Sequence, residues 1–117
     1  MPTRDDATLL DIANAARLVI EWTAGLERAA FLADRKTQSA IERQLEILGE
    51  ATKRLSLALR EQHPQIPWRQ IAGLRDVLIH RYDDVNPELL WETAIVAVPQ
   101  LLSALERLLS PKPASEG

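Results

Sequence analysis

Two histidines stand among 117 residues, and only one of them has neighbours that could share in moving a proton. His80 lies in the run Leu74-Arg-Asp-Val-Leu-Ile-His-Arg-Tyr82, which also supplies Arg75, Asp76, Arg81 and Tyr82. An imidazole changes charge near neutral pH, and a guanidinium grips phosphate oxygens with two parallel hydrogen bonds. Together they suggest acid–base chemistry on a phosphate ester. Asp76 and His80 are four residues apart, so on a helix they share a face. The carboxylate can then hold one imidazole nitrogen and leave the other free to exchange a proton. The plainer alternative is that His80 and Arg81 complement the negative end of a helix dipole.

Helical geometry complicates a single-chain site. At ~100° per residue Arg75 and Tyr82 share a face, but Arg75 and His80 stand about 140° apart around the axis. Either the helix loosens before His80, or a second copy of the chain completes the pair across a two-fold axis. We favour the second, because the first helix carries a surplus apolar line that points to a partner.

His63 sits beside Pro64 with no nearby acid or nucleophile and reads as a solvated loop histidine. Without cysteine there is no disulfide, thiolate metal site or cysteine nucleophile, and two histidines are poor material for zinc. No site metal or cofactor is expected, although carboxylates could hold Mg²⁺ through water. The phosphate-binding string G-x-x-x-x-G-K-[ST], the esterase string G-x-S-x-G and the zincin string H-E-x-x-H are all missing. Glu42, Glu46 and Glu50 recur every four residues and read as a solvated face pairing with Arg43, Lys53 and Arg54. The other reading of Glu46 or Glu50 is that it lines a site.

The scaffold that must carry these groups is one domain, residues 1–110, followed by a disordered tail over 111–117 rich in proline and small residues. A net charge of -3 argues against a generic nucleic-acid coating protein, which needs a cationic face. One tyrosine, one phenylalanine and three tryptophans are too few for a base-stacking platform. No uninterrupted apolar run approaches the ~20 residues of a membrane span, and no leader pattern opens the chain. A soluble, cytoplasmic protein is expected.

Apolar residues recur at helical spacing throughout, and no strand alternation appears. Leu9, Ile12, Ala13, Ala16, Val19 and Ile20 mark a first helix over about 5–30, capped by Thr3 or Asp5; Ala15, Leu18 and Trp22 form its second line. Asp34 caps a long second helix over about 35–61, with Ile41, Leu45, Leu48, Thr52, Leu55 and Leu59 inward. Gly49 interrupts it, either for close approach of another backbone or simply tolerated. The prolines of His63–Trp68 make a linker anchored by Trp68. Ile71, Leu74 and Leu78 mark a short third helix to about Arg81, and 82–86 read as a loop. Asn86 caps a fourth helix to about Leu109, with Pro87 at its first position and Pro99 kinking it near Ile95. The expected class is all-α: an antiparallel bundle of three long helices and one short motif-bearing helix, dimeric.

The string Arg75-x-x-x-x-His80-x-Tyr82 resembles the signature of HepT-like toxins, members of the HEPN superfamily of helical ribonucleases. Ala40–Ala51, Ile66-Pro-Trp68, Ile71–Arg75, Trp91 and Val98-Pro99 resemble the same family, so the likeness covers nearly the whole chain. Asp76 departs from the commoner asparagine after the motif arginine. The resemblance implies a metal-independent endoribonuclease acting as a homodimer on RNA, with His80 as general acid or base, Arg75 stabilising charge and Asp76 in support. It further implies a toxin–antitoxin pair in which a cognate minimal nucleotidyltransferase silences the toxin by transferring AMP to Tyr82. A non-catalytic helical adaptor that binds nucleotide or such a transferase is the competing reading.

Overall fold

The computed structural model describes residues 3–74, 76 and 86–109 and is helical in all its regular segments among them. The all-α class agrees with the sequence expectation. Thr3 opens α1 (Arg4–Thr23): its hydroxyl accepts from the Asp6 N–H at 3.0 Å while Asp6 accepts from the Thr3 N–H at 2.9 Å. This reciprocal cap fixes where the helix begins.

The first helix does not run to residue 30. It stops at Thr23 because Ala24 leaves helical geometry (φ -60°, ψ 129°) and Gly25 follows with φ 81°. The Leu26 N–H returns to the Thr23 carbonyl at 3.1 Å, closing a type II turn whose third position favours glycine. A five-residue helix, α2 (Arg28–Leu32), follows and buries Phe31 completely.

Asp34 caps α3 (Arg35–Lys53) as expected, accepting from the Thr37 N–H at 3.0 Å and its hydroxyl at 2.6 Å. Ile41, Leu45, Leu48 and Thr52 form its buried stripe. The second long helix ends eight residues early, for a reason local propensity does not contain. Ser56 caps a separate α4 (Leu57–Gln62) and donates its N–H to Asp5 at 3.0 Å and its hydroxyl to the same carboxylate. Asp5 is on α1, 51 positions away in sequence. Arg60 closes the break by donating to the carbonyls of Lys53 and Leu55, at 3.1 and 3.2 Å.

The proline linker is as read, and the short α5 (Trp68–Ala72) follows it. Asn86 caps α6 (Pro87–Glu92), accepting from the N–H groups of Glu88 and Leu89. A π-helical segment over Thr93–Ala97 joins it to α7 (Val98–Leu109). Pro99 therefore disturbs the helix where expected, around Ile95, but by widening a turn, since its ring lacks an N–H and crowds the carbonyl four residues back.

The core gathers where α1 packs along α3 and α7, and α2 meets α6. Leu9, Ile12 and Val19 of α1 meet Leu45 and Leu48 of α3 and Leu90, Val98 and Leu105 within that cluster. Each such aliphatic group contributes about 1.5–3 kcal/mol on burial. The helix Pro87–Leu109 is long and apolar enough to cross a membrane, yet it supplies Leu90, Trp91, Ala94, Val98 and Leu105 to this core. Of the second line on α1, Ala15 is buried, Leu18 half-buried and Trp22 37% exposed. That line is only partly covered within one chain. The expected tail at 111–117 lies outside the described residues.

Candidate active site

The segments on either side of the motif are anchored in the fold. On the incoming side, Ile66, Trp68 and Ile71 are buried, and the Trp68 indole N–H donates to the His63 carbonyl at 3.0 Å. The linker histidine thus contributes its backbone to the anchor, while its imidazole takes no part in that bond. The C-terminal end of α5 rests on α3 at Gly49, where a Cβ would stand 3.2 Å from the carbonyl oxygens of both Ile71 and Ala72. Of the two explanations open for this glycine, close approach of another backbone is the one found. The Gly73 N–H donates to the Arg69 carbonyl and the Asp76 N–H to the Gly73 carbonyl, each at 3.0 Å.

On the outgoing side, Arg28 of α2 pairs with Glu88 of α6 at 2.8 Å, and the rings of Phe31 and Trp91 lie 5.1 Å apart at 40°. The salt bridge is exposed and adds little; the ring pair is buried and adds about 0.5–1.5 kcal/mol beyond its area. The start of α6 is thereby fixed to α2 and through it to α3.

Between these flanks, Asp76 is helical and exposed. Arg75, His80, Arg81 and Tyr82 lie outside the described residues, as does the expected pairing of Asp76 with His80. The expected loop over 82–85 lies there too, and Asn86 at its end is the cap already described.

Two concave surfaces occur among the described residues. A groove of about 310 Å³ runs between α5 and α7, walled by Ile66, Ile71, Leu74, Val98 and Leu101 with Gln70 at its edge. It is apolar, and Leu74 brings its wall to the residue before Arg75. A hollow of about 260 Å³ on α3 is lined by Arg43, Glu46, Ile47, Glu50 and Arg54. Arg43 pairs with Glu46 and Lys53 with Glu50, both at 3.1 Å, which is the face of solvated ion pairs expected. Among the described residues, no three His, Asp or Glu side chains gather as metal ligands would. Within the Ile71–Arg75 stretch the sequence assigns Ala72 no role of its own; the approach of α3 to its carbonyl marks it.

Comparison with known proteins supplies what the geometry of one chain does not. The sequence pattern of the HepT-like ribonucleases matches residues 12–108, a span that contains the whole Arg75 to Tyr82 string. A Thermococcus cleftensis protein named probable ribonuclease HepT is 44% identical over 100 residues, 86% of this chain and 91% of its own length. A Methanocaldococcus jannaschii protein provisionally named an RNase is 39% identical over 110 residues, covering 93% and 91% of the two chains. Another such protein, from Caldanaerobacter subterraneus, is 39% identical over 98 residues, covering 84% and 88%. No solved structure matches the chain. A match of this extent, with the Arg75, His80 and Tyr82 string inside it, places the chain in the HepT-like ribonuclease family of the HEPN superfamily.

Proposed function

We propose that this chain is the toxin of a toxin–antitoxin pair and cuts RNA internally without a metal, using Arg75, His80 and, in support, Asp76. The observation that carries the reading is the occurrence of Arg75-x-x-x-x-His80-x-Tyr82 within the span matched by the ribonuclease family. In this reading one imidazole takes the proton of a ribose 2′-hydroxyl, and the freed oxygen attacks the adjacent phosphorus. The bond to the 5′-oxygen breaks, that oxygen receives a proton, and the products are a 2′,3′-cyclic phosphate and a 5′-hydroxyl end. Arg75 stabilises the extra charge on the five-coordinate phosphorus through paired hydrogen bonds. Asp76 orients His80 through the other ring nitrogen.

The working unit in this proposal is a homodimer of antiparallel helical bundles, each built on residues 1–110, in the cytoplasm. The ~140° between Arg75 and His80 on a regular helix supports a site shared by two copies, and the incompletely covered line at Leu18 and Trp22 supports a partner surface. Tyr82 is the point of control: a cognate nucleotidyltransferase attaches AMP to its phenol oxygen, and the added bulk and charge beside Arg75 exclude RNA.

The test is cleavage of single-stranded RNA by the purified protein in excess EDTA. Activity lost in both Arg75→Ala and His80→Ala, with helicity retained, and no cutting of DNA of the same sequence, are the expected results. Cleavage that survives both substitutions would sink the assignment; a wild type that neither cuts RNA nor arrests growth would make the chain an adaptor.

A further inference from the structure

We propose that Gly49 is a positioning residue for RNA cleavage, acting through α5 on Arg75; the inference rests on the ribonuclease reading above. Gly49 is buried in the interior of α3, where glycine costs about 1 kcal/mol against alanine in helix propensity. What occupies the space of its missing methyl is backbone: the carbonyl oxygens of Ile71 and Ala72, each 3.2 Å from where a Cβ would be. Backbone cannot swing aside as a side-chain tip does. A methyl group at Gly49 must displace the end of α5 by a few tenths of an ångström. Gly73 offers a contrast, since its Cβ would meet only the Arg69 carbonyl at an ordinary 3.5 Å.

That displacement has a short route to the chemistry. Arg75 is three residues beyond Ala72. The stretch between is tied by the Gly73 N–H to the Arg69 carbonyl and by the Asp76 N–H to the Gly73 carbonyl, both at 3.0 Å. Burial of Trp68 fixes the other end of α5, so the strain is not relieved there. A guanidinium that must meet charge developing at phosphorus is sensitive to such shifts, because ~1 Å of misplacement can cost on the order of 100-fold in rate. A few tenths of an ångström corresponds to roughly three- to tenfold on the same scale.

The experiment is steady-state cleavage of a single-stranded RNA by the full chain, with thermal unfolding of each variant. Gly49→Ala is expected to lower kcat by about three- to tenfold with KM little changed and an unfolding midpoint no lower than wild type. Gly25→Ala is the opposite control: it strains a left-handed turn with nothing within 4 Å of the new methyl, so the midpoint falls and kcat stays. In a double-mutant cycle, Gly49→Ala with Arg75→Lys is expected to lose less than the product of the two single losses. A purely structural role would not produce that coupling.

Unchanged kcat in Gly49→Ala, strictly multiplicative losses, or a Gly49→Ala chain that does not fold would each overturn the proposal. Inactivity of Arg75→Ala, measured beside them, keeps these outcomes separate from failure of the ribonuclease reading. If Arg75→Ala cuts RNA as wild type does, both claims fall together.

Discussion

Gly49 and Ala72 meet backbone to backbone: a methyl group on the first would stand 3.2 Å from the carbonyl oxygen of the second. A branched side chain cannot be absorbed at that distance. Gly49→Val is expected to destabilise the fold by about 1–3 kcal/mol, the usual penalty for overpacking. Urea unfolding followed by circular dichroism checks this; a midpoint equal to wild type would mean that α5 moves freely away from α3.

Asp5 joins the start of α1 to the start of α4 by accepting both the hydroxyl and the N–H of Ser56. The Ser56 hydroxyl, and then its N–H, hold the Asp5 carboxyl below the usual carboxylate range. The folded chain therefore takes up this proton less readily than the unfolded one. The stabilisation is complete above the ordinary carboxylate pKa and is lost as pH falls through the lower folded value. Asp34 is shifted in the same direction by the hydroxyl and N–H of Thr37. Melting temperatures measured from about pH 6 down to about pH 2 are expected to fall less steeply in Asp5→Asn than in wild type. Parallel curves would contradict the linkage.

Phe31 is fully buried and lies 5.1 Å from Trp91, tying α2 to the helix that follows the motif. Phe31→Ala is expected to cost about 3–5 kcal/mol, and Phe31→Leu clearly less, because leucine leaves the smaller cavity. Chemical denaturation with tryptophan emission as the signal measures both; equal losses would argue that ring contact and cavity size do not govern this site.

If Tyr82 is the acceptor of AMP, co-expression with the cognate nucleotidyltransferase should raise the mass of the chain by whole AMP units. Tyr82→Phe should show no such gain and should still cut RNA. Intact-protein mass spectrometry decides the first point, and a cleavage assay the second. A gain that persists in Tyr82→Phe would place the modification elsewhere.

Features that depend on a few neighbouring residues were legible in the sequence. Asp34, Asn86 and the Thr3 cap are local hydrogen-bonding arrangements, and Trp68 was identifiable as the anchor at the end of the proline linker. The breaks inside the two long apolar patterns were not. At Ser56 the decisive acceptor is Asp5, 51 positions distant, and the apolar stripe through Leu55 and Leu59 continues across the break as though nothing happened. Gly25 lies in a helical pattern whose end is set by a turn rather than by loss of periodicity. Gly49 was visible as an anomaly, but its explanation required α5 to be in place. Arg75, His80 and Tyr82 stand out in the sequence by type and order alone, and they lie outside the described residues. Whether they meet within one chain or across two is a tertiary and quaternary matter.

The π-helical segment over Thr93–Ala97 has a bearing on how the family's sequences are aligned. A π turn holds one residue more than an α turn, so this stretch behaves as a one-residue insertion absorbed without a loop. A relative lacking both Pro99 and one residue between Asn86 and Val98 could run as unbroken α-helix with Leu90 and Leu105 still facing inward. Length differences in this helix are thus better sought here than in the connections at its ends, and a gap misplaced by a few positions would shift the apparent register of every core residue that follows.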